Sequence, residues 1–221
     1  MLYAVALAFA SAAPFQSAAL AQAPTVSATL APAAGSLTNQ PVTQVAGSVS
    51  GAAAPFTVSF LVDGTIESQI QNLAAGEQFR HGISLVGDGA RRFTVRVRDA
   101  AGAQATQEVG SITLDTTPPA APILLTPVPI VSNQNTITLK GIHPEPPRPG
   151  QTGAQAPKVL VLGPARVRFT PAQPQIVTDP NGQFETTADV SGLPDGSYSF
   201  KLIAIDAAGN FSSSSTLQFK R

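Results

Sequence analysis

The chain has 221 residues, with 13 Lys or Arg balancing 13 Asp or Glu, so its formal net charge is zero. A neutral chain with only 12% charged residues offers no bulk attraction for nucleic acid or an anionic membrane. With 43% hydrophobic residues it can bury a core, and with no cysteine it holds that core without disulfides.

The chain opens on a short apolar run, Leu2–Ala13 (LYAVALAFASAA), followed by Pro14 and small residues up to Ala21-Gln22-Ala23. An apolar stretch of this length before an A-x-A site reads as a secretory signal peptide over residues 1–23, cut after Ala23. It is too short for a spanning helix, which needs about 20 residues. No Lys or Arg precedes it, so either the amino terminus alone supplies the positive charge or the true start lies elsewhere. No second apolar segment follows, so the mature chain is expected to carry no transmembrane segment.

Residues 24–115 read as a first β unit. Strands are expected at Thr25–Leu30, Pro41–Ser50, Phe56–Val62, Glu77–Leu85, Arg92–Arg98 and Glu108–Leu114. In Arg92–Arg98 the alternation is clean, with Phe93, Val95 and Val97 on one face and Arg92, Thr94, Arg96 and Arg98 on the other. Asp63-Gly64 is a tight hairpin signal. Residues 116–122 form a Pro-rich linker whose extended backbone should space its neighbours and limit their swing. Residues 123–221 read as a second β unit, with strands near Ile123–Thr126, Thr136–Ile142, Lys158–Leu162, Arg166–Phe169, Gln183–Val190, Tyr198–Ile205 and Thr216–Lys220. Within it, the Pro- and Gly-rich residues 143–157 have little to bury and are expected to form a mobile surface loop.

The two units are copies. Asp88-Gly89 recurs as Asp195-Gly196, Asp99-Ala-Ala-Gly102 as Asp206-Ala-Ala-Gly209, and Gln78-Phe79 as Gln183-Phe184. Many short strands between Gly and Pro turns predict an all-β chain of two tandem immunoglobulin-like sandwiches. Tyr198, near the start of its strand, fits the tyrosine corner of such folds, whereas the first copy has Arg91 there and is expected to lack the device. Ile203 and Ile205 fall opposite Phe200 and Leu202, so that strand is expected to be covered on both faces.

Three motifs carry a resemblance. Asp115–Pro122 (DTTPPAAP), Asp179–Phe184 (DPNGQF) and Asp195–Asn210 (DGSY…DAAGN) are similar to the linker, turn and paired-strand signatures of bacterial Ig-like repeats in secreted and cell-surface adhesins and biofilm-associated proteins. The resemblance covers residues 115–221 clearly and 25–114 loosely, since Ala103 replaces the final Asn in the first copy. It implies a spacer or adhesive module outside the cytoplasm, acting on a protein or glycan of a cell surface or matrix.

No catalytic arrangement stands out: His81 and His143 lack a nucleophile or third ligand, and both read as surface or loop residues. Some repeats of this family bind calcium near their junctions, which makes Asp99, Asp115, Asp206 and Asn210 candidate ligands. The competing reading is that these side chains bond the backbone of their own turns, and the lack of a D-x-D-x-D cluster favours it. Arg92, Arg96 and Arg98 could meet polyanionic glycans or form an ordinary solvated face. The expectation is an exported, non-enzymatic spacer or adhesive module, with a periplasmic or extracellular glycan-binding accessory as the alternative.

Overall fold

A computed structural model of the chain describes residues 23–51, 53–127, 130–131, 133–152, 155–172 and 175–221. The expected signal peptide, apart from Ala23, lies outside them. Among the described residues there is no α-helix. The first strands are β1 (Thr25–Ala31), β2 (Leu37–Thr38), β3 (Val42–Ser50), β4 (Phe56–Val62), β5 (Thr65–Leu73), β6 (Gln78–Ser84), β7 (Gly89–Arg98) and β8 (Gln104–Leu114). Then come β9 (Ile123–Leu124), β10 (Ile130–Val131), β11 (Thr136–Ile142), β12 (Lys158–Leu162), β13 (Arg168–Thr170), β14 (Gln175–Val177), β15 (Gln183–Asp189), β16 (Ser197–Ile205) and β17 (Phe211–Lys220).

These strands make four sheets. Strand orders β1-β3-β6 and β2-β8-β7-β4-β5 draw only on β1 to β8, while β13-β15-β11-β9 and β10-β17-β16-β12-β14 draw only on β9 to β17. Each pair of sheets closes on its own core. Alternation selects the first core's members: Phe56, Val58 and Phe60 from β4, with Phe93, Val95 and Val97 from β7, meet Val45, Val49, Phe79 and Ile83 of the facing sheet. In the second, Val159, Val161, Phe200 and Leu202 meet Ile137, Leu139, Phe184 and Ala188. Edge strand β1 is held to the facing sheet as well. Gln107 of β8 reaches edge strand β1, where its Oε1 accepts the Ala28 N–H at 2.8 Å and its Nε2 donates to the Ala28 carbonyl at 3.1 Å.

Asp63 and Gly64 both take positive φ, 51° and 85°, as a two-residue hairpin between twisted strands requires. The hairpin's second arm, β5, is absent from the sequence-predicted strands. Its sequence TIESQIQNL is mostly polar and exposed because β5 is a sheet edge.

Burial and hydrogen bonding refine three further expectations. The 143–157 insertion is anchored at its ends, since His143 and Ala156 are 1% and 3% exposed. Ile203 and Ile205 keep the expected face opposite Leu202 and Ala204, since the β12–β16 ladder runs unshifted through them, and Ile205 is buried while Ile203 is partly exposed; a bulge between the two interrupts only the pairing with β17. Ser212 Oγ accepts the Ala204 N–H at 2.9 Å, satisfying a backbone donor there. Finally, Tyr198 Oη donates to the Pro194 carbonyl at 2.9 Å, the expected corner bond, but the first copy has a counterpart. Arg91 Nη2 donates to the Val86 and Gly87 carbonyls at 2.8 and 3.2 Å, so a guanidinium does the work of the phenol.

Candidate functional site

The candidate calcium ligands divide between two turns. Asp206 directly follows β16 and is 4% exposed. Its Oδ1 accepts the N–H groups of Gly209 and Asn210 at 2.7 and 2.8 Å, and its Oδ2 accepts Asn210 Nδ2 at 2.8 Å. Asn210 Nδ2 also donates to the Asp115 carbonyl at 2.8 Å. The structure thus brings Asp115, Asp206 and Asn210 together, with hydrogen bonds to both Asp206 oxygens. Asp99 stands apart: Asp115 follows Leu114, which pairs with Gly89 at one end of β7, while Asp99 follows Arg98 at the other. Asp99 Oδ1 accepts the Ala103 N–H at 2.8 Å, but its buried Oδ2 has no hydrogen-bond partner, because Ala103 stands where the second copy has Asn210. Among the described residues no group of three or more His, Cys, Asp or Glu is placed to hold a metal ion.

His143 and Glu145 border the Asp115–Asp206 junction. His143 is buried, contrary to the solvated loop expected for it. Its N–H donates to the Gly182 carbonyl at 2.8 Å, just as the Val49 N–H donates to Glu77, so His143 fills the place of a core valine. Its Nδ1 accepts the Glu145 N–H at 3.0 Å and its Nε2 lies 3.2 Å from the Ile205 carbonyl. That pair of contacts fits a neutral ring protonated on Nε2. Burial holds the imidazole below its ordinary 6.5, against the Ile205 carbonyl and Asp206, which favour the charged ring. Glu145 is pushed the other way, above its ordinary 4.5, first by burial and then by the charges of Asp206 and Asp115.

The depressed His143 pKa has a definite sign. Above 6.5 the ring is neutral in both folded and unfolded chains and its contribution is complete. Below 6.5 the unfolded ring binds a proton that the folded ring refuses, so stability falls as pH drops until the folded ring protonates too. The limiting slope is about 1.4 kcal/mol per pH unit. Denaturant titrations on either side of that pH are expected to show this loss. His143→Val, which copies the valine at position 49, is expected to remove it.

His81 is also no loose surface residue. It lies on the inner side of β6, stacked on Phe60 at 4.7 Å, with Nε2 2.7 Å from Ser68 Oγ.

The linker is bonded to the Asp88 turn. Asp88 Oδ1 accepts the N–H and Oγ1–H of Thr116 at 2.9 and 2.7 Å, and Oδ2 accepts Oγ1–H of Thr117 at 2.7 Å. The hydrogen bonds from Thr117 and then Thr116 hold the Asp88 carboxyl below its ordinary 3.8. Pro119 and Pro122 are buried, and Ser215 Oγ donates to the Pro122 carbonyl.

The arginine stripe lies on the outward face of β7. Arg92 Nε is 3.4 Å from Glu108 Oε1, an exposed pair contributing about 0–1 kcal/mol. Arg96 faces Ser59 and Thr106 across the sheet, and Arg98 faces Thr57 and Gln104. Among the described residues neither Arg96 nor Arg98 forms an ion pair.

No family model matches the chain, and no curated protein does. Solved structures do match. Fibronectin(III)-like modules of Clostridium thermocellum CbhA overlap 89% of this chain and 93% of their own, with a TM-score of 0.50 at 14% identity. The fold is fibronectin(III)-like. Lower overlaps are found with the adhesin InvE of Yersinia pseudotuberculosis (17% identity, 88% of this chain and 58% of that one, TM-score 0.32). The BSP domain of a biofilm associated protein is similar at 19% identity (91% of this chain and 29% of that one, TM-score 0.27). At those scores neither adds to the fold. Among the described residues no helix is long and apolar enough to cross a membrane.

Proposed function

We propose that the chain is an exported, non-enzymatic spacer or adhesive module of the bacterial cell surface or extracellular space. It comprises a signal peptide over 1–23, Ig-like sandwiches over 24–115 and 123–221, and the linker 116–122. The observation that supports this best is the passage between the cores. Strand β8 runs into Asp115, and the following prolines lead directly to β9, so one sheet pair succeeds the other along the chain. A serial arrangement of this kind suits a protein that bridges distance and presents end loops and sheet faces to a protein or glycan.

Protease shaving of intact producing cells, with assay of the medium, tests it. Release of the mature chain is the expected result, and a chain protected in the periplasm overturns the surface reading. The unpaired Arg96 and Arg98 support a second reading, a glycan-binding accessory. For that reading, binding to acidic glycans is expected to weaken with salt and vanish in Arg96→Glu/Arg98→Glu. Adhesion that survives both keeps the first.

A further inference from the structure

We propose that Asp88 and Asn210 form a two-sided clasp on the linker, making it a fixed joint; this rests on reading the chain as two tandem sandwiches. Asp115 is the residue on which the two sides meet. Its N–H donates to the Thr38 carbonyl of β2 at 2.9 Å, while its carbonyl accepts Asn210 Nδ2 at 2.8 Å. One peptide residue is therefore hydrogen-bonded to both strand sets. The Asp88 carboxylate takes three donors from the next two residues, Thr116 and Thr117. Asn210 is in turn oriented by Asp206 Oδ2, which is buried with it.

The Asp-Gly turn does not itself need such bonds. Asp195-Gly196 occupies the corresponding place in the second copy, and among the described residues the exposed Asp195 carboxylate has no hydrogen-bond partner. Asp88 differs in having the two threonines within reach. Beyond them, Pro118 and Pro119 stiffen the backbone, so an orientation set at Asp115–Thr117 is carried toward β9. Linked domains ordinarily move relative to one another unless a large apolar interface joins them. Here directed hydrogen bonds on a short Pro-stiffened segment supply the constraint.

Nitrogen-15 relaxation of the purified full chain tests this. Amides of 25–114 and of 123–220 are expected to share one rotational correlation time. In Asp88→Ala/Asn210→Ala the two halves should separate and their correlation times fall by roughly one third, as the halves begin to tumble independently. Thr117→Val, which keeps the side chain's shape and removes one donor to Asp88, should move the same way by less and covers the case in which the double variant fails to fold. Independent tumbling in the unaltered chain overturns the clasp, as does an unchanged correlation time in variants that keep a dispersed amide spectrum. Cleavage within the linker, with each fragment keeping its own spectrum, tests the two-sandwich reading separately, and surface shaving bears on neither result.

Discussion

Gly47→Ala and Gly141→Ala are each expected to destabilise the chain by about 2–3 kcal/mol, the upper part of the range for overpacking. Both glycines lie within inner-face ladders, Gly47 opposite Phe79 and Gly141 opposite Phe184. A methyl group on Gly47 would overlap the Ser27 carbonyl oxygen and stand 2.7 Å from the Phe79 ring. On Gly141 it would overlap the Phe184 ring and stand 2.5 Å from the Ile123 carbonyl oxygen. In each copy the obstruction includes backbone of an edge strand, β1 or β9, so relief means parting that strand from its neighbour. The phenylalanine alone cannot relieve it by changing rotamer. Denaturant unfolding measures the loss. Gly82→Ala is the control, because its added carbon would meet nothing closer than Val42 at 3.8 Å, and a change within about 0.5 kcal/mol is expected. Equal stability of Gly47→Ala and Gly82→Ala would show that the edge strand yields freely.

The second large effect contrasts the two DAAG turns. Asp206→Ala is expected to cost about 3 kcal/mol, since three N–H donors lose their acceptor in a buried place. Asp99→Ala should cost about 1–2 kcal/mol, because only the Ala103 N–H is left without its partner and an unsatisfied buried oxygen is removed along with it. Ala103→Asn should gain about 1 kcal/mol by supplying Asp99 Oδ2 with the amide donor that Asn210 gives Asp206. Unfolding midpoints of the three variants decide the order. A destabilised Ala103→Asn would mean that the first turn cannot orient the amide as the second does.

The sequence made the inner faces legible wherever apolar residues alternate, as in Phe56-Val58-Phe60 and Phe93-Val95-Val97. It concealed β2, β5, β10 and β14, which are short or polar and exist because a neighbouring strand supplies their hydrogen bonds. The turn role of Asp206 and Asn210 was readable from local spacing. The environment of His143 was not: its partner carbonyl belongs to Ile205, 62 residues away in the sequence. Likewise Asp88 reads locally as a turn residue, and only the pairing of Gly89 with Leu114 brings the linker threonines to its carboxylate. Arg91 as a corner residue had no local signal, because a phenol and a guanidinium share little except a donor at the end of a long side chain.

The Gln107 amide on β1 bears on how densely such molecules can be crowded. A bare outer strand offers a ladder of donors and acceptors onto which a strand from another molecule can zip, the usual route from orderly assembly to aggregation. By occupying both backbone groups of Ala28 near the middle of that strand, Gln107 interrupts the ladder where an incoming strand would need it continuous. At that point of β1 the edge opposes strand addition by a neighbouring molecule.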